Sequence, residues 1–141
     1  MNELEQEARE RLDHTAFTHY NHIQARSIER DRTVFSLTVH PESCNSYGMI
    51  HGGLLYALAD TAAGTAAYTD GRSHVTQNSS FHFLRNVSSG EVTATAQVRH
   101  RGQTRTLVDV EVCSEAGKVL AMGDFTFFCV DRGTALDKVK K

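Results

Sequence analysis

Tryptophan is absent from the 141 residues, proline occurs once, at Pro41, and cysteine three times, at Cys44, Cys113 and Cys129. Three widely spaced cysteines make neither a disulfide framework nor the close pairs of a zinc site, so a reducing, cytoplasmic setting is expected. An excess of one charge is also missing: 15 Lys and Arg stand against 17 Asp and Glu, mixed along the chain, for a net charge of −2. Without a basic stripe, nucleic acid is not the expected partner. No apolar run is long enough to cross a bilayer, and the opening MNELEQEARERLDH is charged where a signal peptide would be apolar, so no membrane association is expected. A chain of this length suits one domain, residues 1–141, with enough material for a real core.

What the chain does have is concentrated between Asn45 and Thr69, NSYGMIHGGLLYALADTAAGTAAYT. A helix starting near Gly52 puts Leu54, Leu55, Leu58, Ala62 and Ala66 on one face. Gly53, Tyr56, Ala57, Gly64 and Ala67 then gather around Asp60 on the other. The leucine face is an ordinary core stripe. The Asp60 face carries almost none of the Lys, Glu, Arg or Gln of a solvated helix, so a second element or a second subunit is expected to come close. An ionised carboxylate there is costly unless it is hydrogen-bonded to a neighbouring loop or used chemically.

Before this stretch, Leu4, Ala8 and Leu12 fall at helical spacing, giving a short amphipathic helix over residues 3–13, and residues 1–22 form this helix plus a linker on the surface. His14, His19 and His22 read as surface and linker histidines, because no carboxylate or cysteine completes a metal set at suitable spacing. Ile23 to Glu29 and Thr33 to His40 read as strands, with Phe35, Leu37 and Val39 alternating against polar neighbours. Pro41 ends the second and opens a loop to Met49. After a turn at Asp70-Gly71 come four more strands, His74 to Leu84, Val92 to Arg101, Thr104 to Ser114 and Val119 to Val130, with Gly90, Gly102 and Gly117 at the turns. Such short connections force antiparallel pairing. The expected architecture is α+β, about six antiparallel strands curled around one long helix, with residues 131–141 as a frayed tail.

Asn45, Gly48, His51-Gly52-Gly53 and Leu58-Ala59-Asp60-Thr61, followed by His82-Phe83-Leu84-Arg85, resemble the hotdog-fold acyl-CoA thioesterases of the phenylacetate-pathway, PaaI-like branch. The resemblance spans roughly residues 30 to 130 and rests on the spacing from Asn45 through His51 to Asp60. Asn86 stands where that family often has proline. The resemblance implies a curved sheet wrapped round the helix, homodimers with a continuous sheet, often paired into tetramers, and active sites at the dimer interface.

It further implies hydrolysis of an acyl-CoA thioester to the free acid and CoA, with no metal or cofactor other than the coenzyme A of the substrate itself. Asp60 is implied as nucleophile or general base, and both suit a carboxylate in a partly dry site. The Gly52 backbone N–H, at the positive end of the helix, is implied as the group that polarises the carbonyl. Asn45 and His51 match polar residues that orient substrate or water, although His51 also fits a loop-anchoring role. Thr76 matches a Ser or Thr that assists the carboxylate from the partner subunit, and is otherwise an ordinary strand threonine. Arg85, Arg99, Arg101 and Arg105 are candidates for the CoA phosphates; a solvated hairpin tip is the alternative for the last three. A Cys44–His51–Asp60 triad is disfavoured, since the start of the helix is poorly placed to activate Cys44. Two other classes remain, a hotdog dehydratase or hydratase, which would form an enoyl product, and an acyl-CoA binding protein, which would bind without turnover.

Overall fold

The computed structural model describes residues 2–130, and the expected tail at 131–141 lies outside them. Its elements are α1 (Glu3–Asp13), α2 (Ala16–Tyr20), β1 (Gln24–Glu29), β2 (Arg32–Thr38), α3 (Gly52–Tyr68), β3 (Ser73–Phe83), β4 (Glu91–Arg101), β5 (Arg105–Ser114) and β6 (Val119–Val130). The strands form one antiparallel sheet in the order β1-β2-β4-β5-β6-β3. This is the α+β, helix-in-sheet architecture expected from the sequence, with strand ends within two residues of the expected ones. Two short pieces are additional: α2, within the expected linker, and a 3-10 turn at Pro41–Ser43.

The core lies between α3 and the concave face of the sheet. Val92, Ala94 and Ala96 of β4, Val108, Val110 and Val112 of β5, and Phe125 and Phe127 of β6 are all buried there. They meet Leu54, Leu55, Leu58, Ala59, Ala62, Ala63, Ala66 and Ala67 of the helix. Ala67 therefore belongs to the core face and not, as its place in the sequence suggested, to the face around Asp60. The run of alanines brings helix and sheet close enough for the Thr33 hydroxyl of β2 to donate to the Ala62 carbonyl at 2.6 Å.

The two sheet edges differ. β1 is short, bulged between Ala25 and Ser27, and overlaid by α1, whose Arg9 donates to the Ala25 carbonyl at 3.2 Å. β3 is 11 residues long, SHVTQNSSFHF, without one Lys, Arg, Asp or Glu, and most of its residues are exposed. Soluble folds normally blunt a free edge of this length with charge or proline.

At the far end of α3, a β-bulge between Val98 and His100 reverses the alternation of β4, so that His100 lies opposite Leu107 and Arg101 opposite the buried Thr106. Arg101 consequently points under the helix. Its Nε and one NH2 group donate to Asp31 Oδ1 at 3.0 and 2.7 Å, and it also donates to the carbonyls of Ala66 and Ala67 at 3.0 and 2.9 Å. An ion pair of 2.7 Å to Asp70 completes the set. The sequence placed Arg101 among the CoA phosphate ligands; here its donors are taken up inside the fold, closing the negative end of α3. Arg101→Ala removes the cation shared by Asp31, Asp70 and the carbonyls at the end of α3, and is expected to cost about 3 kcal/mol in urea unfolding. Arg101→Lys is expected to recover only part of this, because a single ammonium cannot reproduce the planar fork.

Candidate functional site

β3 runs back along the face of α3 that the rest of the sheet leaves uncovered, and the two elements touch at three successive helical turns. The Phe83 ring lies against Gly52, where an added Cβ would sit 3.4 Å from it. One turn on, the Tyr56 hydroxyl and Ser79 Oγ are 2.6 Å apart. A further turn on, Thr76 donates from its hydroxyl to Asp60 Oδ1 at 2.8 Å. Thr76 thus meets Asp60 of its own chain, which corrects the expectation that it arrives from a partner. The Tyr56–Ser79 pair was not anticipated, since a 23-residue separation leaves no local signal.

Asp60 is half-buried between α3 and β3. Burial pushes its carboxyl above the ordinary carboxylate range, and the Thr76 hydrogen bond opposes this only in part. Asp70, at the end of the same helix, has the opposite balance. Burial pushes it up as well, but hydrogen bonds from the Arg72 backbone and guanidinium and from His74, with the nearby Arg101 charge, bring it below its usual value. Asp60 receives no such cationic help among the described residues.

The loop before α3 is held open by the residues singled out in the sequence. Asn45 Oδ1 accepts from the backbone N–H of Tyr47 and Met49 at 2.9 and 3.2 Å, an Asx turn that leaves its amide NH2 free for other partners. Cys44 bridges to Ile50, and its Sγ turns to the His40 carbonyl at 3.5 Å. His51 caps the helix, its Nδ1 accepting from Gly53 N–H at 2.8 Å. In the neutral imidazole this fixes the proton on Nε2, which then faces outward as a donor from an exposed side chain. The loop-anchoring role and an outward donor therefore coexist in one ring. Gly52 is the first helical residue, so its N–H has no intrahelical acceptor.

Eight residues of helix separate Gly52 from Asp60, about 12 Å along the axis. Within one chain the structure brings Asp60 to Thr76 and sets His51 at the start of α3 beside Gly52, with Asn45 in the loop leading there, but it does not unite the two groups. The arginines are also dispersed. Arg85 follows β3 near the Gly52 end, reaching the Val119 carbonyl at 3.4 Å. Arg99 pairs with Asp109 at 2.8 Å, and Arg105 donates to Gln77 at 3.0 Å, both exposed.

Beside Asp60 a cavity of about 360 Å³ opens between α1, α3 and β3, lined by Ala8, Leu12, Gly64, Thr76 and Phe127 among others. The contribution of α1 was not legible in the sequence, which placed this helix on the surface. At the rear, His74 has a side chain only 1% exposed, its Nε2 3.3 Å from Asp70 Oδ1. Burial lowers its pKa despite that carboxylate, so the ring is held neutral.

Residues 47–121 match the family model of the Thioesterase superfamily. The acyl-coenzyme A thioesterase PaaI of Escherichia coli is 35% identical over 97 residues, 68% of this chain and 69% of that protein. Its structure superposes with a TM-score of 0.87 over 91% of this chain and 94% of its own, at 29% identity. A 1,4-dihydroxy-2-naphthoyl-CoA hydrolase of Listeria monocytogenes is 27% identical over 84% of this chain and 93% of its own length. A hypothetical thioesterase protein of Streptococcus pneumoniae, solved with coenzyme A, superposes with a TM-score of 0.75 at 26% identity, covering 79% and 91% of the two chains. On the family match, the identity to PaaI and the superposition with its structure, the chain belongs to the thioesterase superfamily as a PaaI-like hotdog thioesterase.

Proposed function

We propose that the protein hydrolyses acyl-CoA thioesters at sites built jointly by two copies of the chain. The observation that carries this reading is the separation of Gly52 and Asp60 by eight residues of one helix, an axial rise of about 12 Å. A thioester carbonyl needs an oxyanion donor and a nucleophile or base each within about 3 Å. One chain cannot supply both. Two-fold pairing along the uncharged β3 edge would extend the sheet across the dimer and set the two α3 helices side by side in opposite directions. The Gly52 end of one then faces the Asp60 and Thr76 of the other.

At such a site the Gly52 N–H, with the helix dipole behind it, stabilises the charge that gathers on the thioester oxygen. The outward Nε2–H of His51 and the free amide of Asn45 orient the thioester or the water. Asp60, under-solvated and without a cation, is the base or nucleophile. As a base it takes a proton from water, the hydroxyl oxygen adds to the carbonyl carbon, and the C–S bond breaks to release CoA thiolate. As a nucleophile it forms a mixed anhydride with loss of CoA, and water then cleaves the anhydride. Both routes balance with water alone. Arg85, Arg99 and Arg105, all exposed, are the proposed contacts for the CoA phosphates.

Release of free thiol from a panel of acetyl, medium-chain and aryl acyl-CoAs is the primary test. Turnover is expected, with a loss of at least about 100-fold in Asp60→Asn; a wild-type protein inactive on the whole panel, or an unaffected variant, would refute the assignment. A single turnover in ¹⁸O-water separates general-base hydrolysis from a nucleophilic route in which water opens the anhydride at the Asp60 carboxyl carbon, since the latter leaves the first acid molecule unlabelled and puts the label into Asp60.

Joint construction is tested by mixing defects. Proline is tolerated at the first helical position, and His51 already has the extended backbone a following proline requires, so Gly52→Pro removes one N–H with little other disturbance. Equal amounts of Gly52→Pro and Asp60→Asn chains, each inactive alone, are expected to recover about a quarter of wild-type activity after subunit exchange, since half the dimers carry one intact site. No recovery would place each site within one chain.

The pH dependence follows from Asp60. Its ionised form is the active one, so the acid limb of kcat/KM is expected above the ordinary carboxylate range. Thr76→Val removes a hydrogen bond that favours the ionised form and is expected to move that limb further toward alkaline pH. A limb that stays in place would show that another group controls it.

A further inference from the structure

The family match begins at residue 47, so α1 lies outside the stretch that the family model matches. Yet α1 is not a loose appendage. Ala8 is 4% exposed, Arg9 donates to the Ala25 carbonyl of β1, and the Arg11 guanidinium lies 4.7 Å from the Tyr68 ring centroid. These three contacts seat α1 across the end of α3, where it closes one side of the cavity beside Asp60.

We infer that this cavity receives the acyl group of the substrate, and that Leu12 of α1 and Gly64 of α3 set the size of acyl group accepted. The inference rests on the acyl-CoA hydrolase reading above. Three observations support it. Asp60 lines the cavity, so an acyl chain held inside it would keep its carbonyl carbon close to the carboxylate. Ala8, Leu12, Gly64 and Phe127 make much of its wall apolar, and Arg11 is its single Lys or Arg, stacked on Tyr68; the phosphates of the CoA moiety call for several cations. Finally, 360 Å³ amounts to about twelve water-sized portions, room for an aromatic ring or a medium-length acyl chain.

Gly64 lies one helical turn from Asp60, about 6 Å along the axis, within the span of such a chain. A Cβ at Gly64 would stand 3.6 Å from the Phe127 ring, an ordinary contact, so the position accepts a methyl group without backbone movement, and both residues line the cavity. Leu12 is partly buried against the core and borders the cavity from the other helix. One methylene more or less in such a pocket changes discrimination by about 10- to 200-fold.

The test compares kcat/KM for acetyl-, hexanoyl- and benzoyl-CoA in wild type, Leu12→Ala, Gly64→Ala and Gly64→Leu, alongside calorimetric Kd values for the matching non-hydrolysable thioethers. Leu12→Ala is expected to raise the ratio of benzoyl or hexanoyl to acetyl by about tenfold, and Gly64→Leu to lower it by at least as much, with Gly64→Ala between. Thioether Kd ratios are expected to follow. Should Gly64→Leu fail to fold, the Gly64→Ala and Leu12→Ala pair still gives shifts of opposite sign. Ratios within threefold of wild type in both directions would overturn the inference while leaving the hydrolase assignment intact. A wild type without turnover would refute that assignment instead, and the thioether ratios alone would then decide whether Leu12 and Gly64 border an acyl site.

Discussion

Everything in this fold depends on how closely one helix approaches one sheet. Alanine is the means: Ala59, Ala62, Ala63, Ala66 and Ala67 are fully buried against the strands, and larger side chains there would hold the layers apart. Close approach has a directional consequence. The sheet curls over the leucine and alanine face and leaves β3 to run along the remaining side, where Gly52, Tyr56 and Asp60 are each met by one of its residues. The position of Asp60 is thus settled by packing on the opposite face of its helix.

The two aspartates of this region show how environment separates chemistry from architecture. Asp70 and Asp60 are both taken from water. Asp70 is surrounded by Arg72, His74 and Arg101 and serves as an anchor for the end of α3. Asp60 has a single hydroxyl for company and keeps the basicity that desolvation gives it. Asp60 is thus left as a half-buried carboxylate that its neighbours compensate only in part.

Much of this was legible in the sequence because it depends on local pattern. Period-two alternation in residues 92–98 and 106–112 placed those strands and their buried faces correctly, and the small-residue run with His51-Gly52-Gly53 marked the start of α3. What escaped depends on register or on distant contacts. A single bulge turned Arg101 from a surface cation into an internal clasp, and no propensity signals a bulge there. Thr76 was named, but only the pairing of α3 with β3 reveals that it belongs to the same chain as its carboxylate. α2 has a buried Thr18 and no side-chain cap, so neither periodicity nor termini announced it.

β3 carries one more feature of consequence. Its pairing with β6 slips between Thr76 and Asn78, so Gln77 is an extra residue in the outermost strand. A regular edge repeats every two residues and accepts a neighbour in many alignments, which is how strands polymerise. An irregular edge has a unique place along its length, as a key has one notch that differs from the rest. Sited next to Thr76, this notch ties the alignment of any strand added at this edge to the residue that holds the Asp60 carboxylate in place.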